Sequence, residues 1–93
     1  MRVFRALSAK TDLDAITDYF GARNVAATLA MLDRIMAAED LLASHPRIGH
    51  TGRTPETREL VVNGTPFVIV YTVAGETLTV LRVLHAQQQW PPA

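Results

Sequence analysis

Five consecutive apolar residues, Phe67-Val68-Ile69-Val70-Tyr71, constrain this chain more than any other feature. Successive strand residues face opposite sides, so a strand with one wet face alternates, whereas this one carries apolar side chains on both. Phe67–Val73 is therefore predicted to be the central strand of a sheet, covered on one side by helices and on the other by something the sequence does not identify. Asn63-Gly64-Thr65-Pro66 before it and Ala74-Gly75-Glu76 after it are short enough to be hairpin turns. With β-type runs at Arg58–Val62 and from Thr77 to about His85, the second half reads as a three-stranded antiparallel meander.

The first half has a different period. Arg2–Leu7 alternates polar and apolar and predicts a strand that sends Val3 and Phe4 toward the core. Leu13, Ile16 and Phe20 then recur at helical spacing, with Asp12 and Asp14 suited to a first turn starting near Thr11 and Gly21 to a stop. Asn24 offers an N-cap for a longer helix to about Ser44. On that helix Leu29, Met31, Leu32, Ile35, Met36 and Leu42 span an arc of roughly 160°, wider than one buried stripe. Core packing accounts for this Leu and Met content. A connection of about four residues makes the two helices an antiparallel hairpin. The whole is an α+β chain of N-terminal strand, helix hairpin and meander, forming a single domain over residues 1–93.

A domain of 93 residues buries a modest fraction of its surface, and without cysteine neither a disulfide nor a thiolate metal site can staple it. No stretch approaches the roughly 18 apolar residues of a membrane span, and the first ten residues hold too short an apolar run for a signal peptide. A cytoplasmic protein without membrane association is the expectation. Nine basic residues balance nine acidic ones. Proteins that grip nucleic acid through its phosphates carry an excess of Lys and Arg, so direct DNA binding by this chain alone is not expected. The charges are uneven all the same. Asp12, Asp14, Asp18, Asp33, Glu39 and Asp40 lie in the first half and Arg47, Arg53, Arg58 and Arg82 in the second, which leaves room for one locally basic face.

Between helices and meander, His45 to Pro55 breaks every period and is rich in Gly and Pro, the mark of a loop on a rigid frame. His45 and His50 have no cysteine or nearby carboxylate to complete a metal shell, so neither a metal nor another cofactor is expected. No Gly-rich phosphate loop, Ser-His-Asp order or paired-carboxylate pattern is present. Arg58 beside Glu59 reads as a cross-strand ion pair.

Taken in order, these pieces resemble the RelE/ParE toxins. The resemblance rests on Asp12-Leu13-Asp14-Ala15-Ile16 with Tyr19-Phe20, the helix start at Asn24 to Ala27, Leu42 with His45-Pro46 and Gly49, and Gly52-Arg53. It continues through Thr57-Arg58-Glu59-Leu60-Val61, Val70-Tyr71 and the closing Arg82-Val83-Leu84-His85, and so covers nearly the whole chain. It implies a toxin made with a cognate antitoxin that wraps and neutralises it. It also implies one of two activities: RelE-like members bind the ribosomal A site and cut mRNA, whereas ParE-like members inhibit DNA gyrase without evident catalysis. Fold likeness does not choose between them, because function lives in the site.

Cutting RNA with its own 2′-hydroxyl needs a base, an acid and cationic donors around one phosphate. The resemblance carries such roles to Arg58 and His85, with Arg82 as a further cation. Against it, Lys10 is the only lysine, a second acid or base is not evident, and the chain is neutral. Strand alternation also puts Leu78, Val80, Arg82 and Leu84 on one face and Leu81, Val83 and His85 on the other, so Arg82 and His85 point apart. His85 then reads as a cap on the strand end. The favoured expectation is a ParE-like toxin acting on gyrase by protein contact. A ribosome-dependent mRNA endonuclease using Arg58 and His85 is the rival, and an inactive antitoxin-binding module the third reading. The wide arc of the second helix and the doubly apolar central strand predict an uncovered apolar surface that the antitoxin fills. Arg47, Arg53 and Arg58 would meet acidic residues there, and Trp90, on the extended tail from Gln87 to Ala93, is a further candidate contact.

Overall fold

The computed structural model describes residues 1–91; Pro92 and Ala93, the end of the predicted tail, lie outside the described residues. The elements are β1 (Arg2–Arg5), α1 (Leu7–Gly21), α2 (Val25–Ser44), β2 (His50–Thr51), β3 (Arg58–Val61), β4 (Phe67–Ala74) and β5 (Thr77–His85). They build one five-stranded sheet in the order β1-β5-β4-β3-β2, with β4 at the centre as its doubly apolar run demands. β1 lies parallel to β5, and every other neighbouring pair is antiparallel. The predicted α+β architecture is the observed one, with an addition: the Gly/Pro loop contains a short edge strand, β2.

The helix boundaries show where tertiary contacts outweigh local signals. α2 begins where Asn24 predicts, its side-chain oxygen accepting the Ala27 N–H at 3.0 Å. α1, by contrast, starts at Leu7 rather than near Thr11, with no side-chain cap. Anchors on β5 take the place of one: the Ala6 N–H donates to the Val80 carbonyl at 2.8 Å and the Ser8 hydroxyl to the Leu81 carbonyl at 2.6 Å. Asp12 and Asp14 consequently sit beyond the first turn, and Ala9 becomes a fully buried core residue.

The core lies between the helices and one sheet face. Phe67, Ile69 and Tyr71 of β4, with Leu78, Val80 and Val83 of β5, pack against Ala9, Ile16, Ile35 and Leu42. Each large aliphatic side chain fully buried there contributes about 1.5–3 kcal/mol. Val3 packs on this cluster, but Phe4 is 49% exposed, against the expectation that it turns inward. Adjacent strand residues face opposite sides, so on an edge strand only one of the two can meet the helices.

The far face of the sheet is closed as well. Val68, Val70 and Leu84 are buried there without belonging to the helix-side core. Arg53 spans this face: it pairs with Glu59 on β3 and donates to the Gln88 carbonyl just past β5, so its side chain crosses β4. The expectation that the central strand leaves an apolar face for a partner is thus corrected. Exposed apolar side chains lie elsewhere, among them Leu29 and Met36 on the outer side of α2, at 56% and 53%.

A β-bulge corrects the predicted alternation on β5. Val70 pairs with Arg82 but Tyr71 pairs with Val80, so Leu81 is the extra residue. Leu78 and Val80 therefore face the helices together with Val83, rather than sharing a side with Arg82 and Leu84. The bulge falls just where β1 ends and α1 takes over the edge of β5.

Candidate functional site

Three arginines are committed to carboxylates. Arg82 donates Nε and Nη2 to Asp12 at 2.7 and 2.8 Å, and the same carboxylate accepts the Val83 N–H at 2.9 Å. Donating to Asp12 raises the Arg82 pKa above its ordinary value, burial opposing it. Arg5 is held in the same way by Glu39, at 2.8 and 2.5 Å, with the same effect. Arg53 pairs with the buried Glu59, which also accepts the Arg53 N–H at 2.9 Å. The predicted Arg58–Glu59 pair is therefore replaced by Arg53–Glu59, because neighbouring strand residues point to opposite faces.

Arg58 instead reaches beneath the loop, donating Nη1 to the Gly49 carbonyl at 2.7 Å and the Arg47 carbonyl at 3.3 Å. The loop is fixed from below by the buried Tyr71 hydroxyl, which accepts the Gly49 N–H at 3.0 Å. An open depression of about 650 Å³ is lined by Arg47, Arg58, Thr51 and Thr72, with Glu56 also on its wall. Among the described residues, neither Arg47 nor Arg58 has a carboxylate partner. Of the arginines predicted for partner contact these two are brought together, while Arg53 is spent on the far face. Trp90 is half-buried on the tail that Arg53 ties down.

His85 ends β5. Its Nδ1 accepts the Gln87 N–H at 3.3 Å and its carbonyl the Gln88 N–H at 2.8 Å, so ring and backbone together cap the strand. Its ring stands edge-on to Phe67, which stands edge-on to Phe20, and these line a groove of about 520 Å³ with Tyr19.

The candidate nuclease residues do not converge. Arg58 is paired with Tyr71, in the middle of β4, and His85 with Phe67, at its start, on the two flanking strands. Four residues along a strand and two strands across correspond to about 16 Å between their Cα atoms. Arg82 follows the bulge in regular register with His85, three positions away, so the two face opposite sides as predicted. Its guanidinium bends round the edge of β5 to Asp12, where the carboxylate neutralises it.

The acidic partners Asp12, Glu39 and Glu59 were missed from the sequence, since they lie 70, 34 and 6 residues from their arginines. Glu39 alone left a signal: it falls in phase with Ile35 and Leu42 on the buried stripe of α2. Among the described residues no group of three or more His, Asp or Glu is placed to hold a metal, and no helix is long and apolar enough to cross a membrane.

This fold and these surfaces define a small α+β protein with shallow, open grooves along its helices, loop and sheet edges. Residues 3–90 match the family described as the ParE toxin of the type II toxin–antitoxin system parDE. The chain is 38% identical over 90 residues to "Putative toxin Y4kP" of Sinorhizobium fredii, covering 97% of this chain and 93% of that one. It is 41% identical over 78 residues to Toxin RelE2 of Caulobacter vibrioides, covering 84% and 86%. A solved structure, the chromosomal ParDE TA system from P. aeruginosa, shares the fold with a TM-score of 0.81 at 24% identity, over 91% of this chain and 95% of that one. The chain belongs to the ParE toxin family of type II toxin–antitoxin systems, within the wider RelE/ParE group.

Proposed function

We propose that this toxin inhibits DNA gyrase by protein–protein contact and is neutralised by a cognate antitoxin. One observation carries the reading: the residues a nuclease would need are dispersed. Arg82 is neutralised by Asp12, His85 caps a strand, and Arg58 grips two loop carbonyls two strands away. A phosphorane charge needs preorganised donors around one point, and a distance of about 16 Å between Arg58 and His85 does not provide them. Arg47 and Arg58, without carboxylate partners of their own, are suited to acidic side chains of another protein. The antitoxin part of the reading draws on family membership and on the ParDE system to which the solved neighbour belongs.

Purified toxin added to a gyrase supercoiling assay and, separately, to translating ribosomes tests the proposal. Loss of supercoiling with intact mRNA is expected, and the antitoxin should reverse it. Cleavage of ribosome-bound mRNA with unimpaired gyrase would establish the rival reading instead, in which Arg58 and His85 act on RNA.

A further inference from the structure

α2 carries two apolar stripes, and the fold uses one of them. Thr28, Ile35 and Leu42 recur at heptad spacing, face the core and are buried. Val25, Leu29, Leu32 and Met36 form a second stripe, about a quarter-turn round the helix from the first. Leu32 is half-buried, but Val25, Leu29 and Met36 are 65%, 56% and 53% exposed. Steps of four, three and four residues between them are the spacing of a coiled-coil seam, whose side chains fit between those of a facing helix. Along the seam, toward α1, runs an open groove of about 270 Å³ whose lining includes Leu13, Thr17, Leu32 and Met36.

The two ends of the seam carry opposite charges. Arg23 lies just before it, its guanidinium carbon 4.1 Å from the centre of the Tyr19 ring, and the exposed Asp40 lies one turn past Met36. Neither forms an ion pair among the described residues, although Lys10 lines the same hollow as Asp40. We infer that the seam is the interface of a homodimer in which the α2 helices of two copies pack antiparallel. A helix with a cation at its start and an anion at its end complements a copy of itself only when that copy is reversed. Parallel packing would set like charge on like. Antiparallel knobs-into-holes packing places Leu29 against the partner's Leu32 and Val25 against the partner's Met36. Asp40 then comes level with the partner's Gly21, about 3 Å along the axis from the partner's Arg23, and the twofold symmetry makes this pair twice. Asp33, on the outer flank of the seam, meets the partner's Ala26 and not a second aspartate. A seam on one helix buries less than the roughly 800 Å² per partner of a standard interface, so association in the micromolar range is expected. The depression beside Arg47 and Arg58 lies apart from the seam, with no α2 residue in its lining.

Sedimentation equilibrium of the whole purified toxin, without antitoxin, from about 1 to 200 µM tests this. The mass should rise with concentration from that of one chain toward that of two. Leu29→Asp should raise the dimer Kd at least about tenfold, with folding followed by circular dichroism, since the side chain it replaces is exposed. Arg23→Glu and Asp40→Arg should each raise it about threefold or more, and the double variant, which exchanges the two charges, should restore it to near the wild-type value. A toxin that stays monomeric throughout overturns the inference. So does a dimer indifferent to Leu29→Asp, which would be held by another face, such as the β1 edge. A dimer lost in both single charge variants and not restored in the double variant overturns the reversed pairing of the helix ends.

Discussion

Asp12 and Arg82, 70 residues apart, meet in a two-point ion pair whose carboxylate also takes the Val83 N–H. The pair clasps α1 to β5 just beyond the end of β1, where the strand would otherwise show an open edge. Asp12→Ala should lower unfolding free energy by about 1–3 kcal/mol, because it strands a half-buried guanidinium and a backbone donor together. Arg82→Lys keeps the charge but loses the fork and should recover only part of that. Urea denaturation of the three proteins checks both. The Arg82 pKa is raised on folding, so its contribution is fully present below the ordinary guanidinium value and is lost only as pH rises through the still higher folded value. Neutral to mildly alkaline buffers should leave the clasp intact, and a stability loss traced to Arg82 in that range would contradict the pairing.

Tyr71→Phe should cost about 1–2 kcal/mol, since its hydroxyl is the partner of the buried Gly49 N–H. Gly49→Ala should do as much or more: its Cβ would fall 2.6 Å from that hydroxyl and 2.9 Å from the Glu59 carbonyl, which has no freedom to withdraw. Wild-type thermal midpoints for both variants would show that the loop is not fixed from below.

Ile69→Ala should cost about 2–5 kcal/mol, the range for emptying a fully buried aliphatic site. A loss well under this would mean that the centre of the sheet collapses round the cavity more readily than two packed layers should allow.

His85→Ala should leave toxicity largely intact when the variant is expressed without antitoxin, because the ring is a strand-end cap far from Arg58. A fall of three or more orders of magnitude in RNA cleavage, with the fold preserved, would reverse the functional reading.

The elements written in local pattern were legible: the doubly apolar run that makes β4 central, the Asn24 cap and the two meander turns. What was not legible depended on contacts distant in sequence. The start of α1 is set by Val80 and Leu81, the far face is closed by Arg53 reaching past β4, and the bulge at Leu81 shifts an alternation that looked regular. The site followed the same division. Opposed Arg82 and His85 could be read from spacing, because no extra residue falls between them. The carboxylates that disarm Arg82 and Arg53 could not: Asp12 lies 70 residues from Arg82, and Glu59, six residues from Arg53, looked like the neighbour of Arg58 until the strand faces were known.

The parallel pairing of β1 with β5 joins the first strand to the last, Arg2 lying opposite Thr77. During synthesis β1, α1 and α2 emerge long before the strand that holds them. The anchors of α1 on Val80, Leu81 and Val83 all lie on β5, so until late in translation the early half has only its own contacts, such as Arg5 with Glu39, and no sheet to dock on. Closing a loop of this length is also the slow step that non-local topologies impose on folding. A nascent toxin is therefore structurally incomplete for most of its time on the ribosome. Its finished surface appears after a delay set by topology, an interval in which a partner already present in the cell meets an unfinished chain.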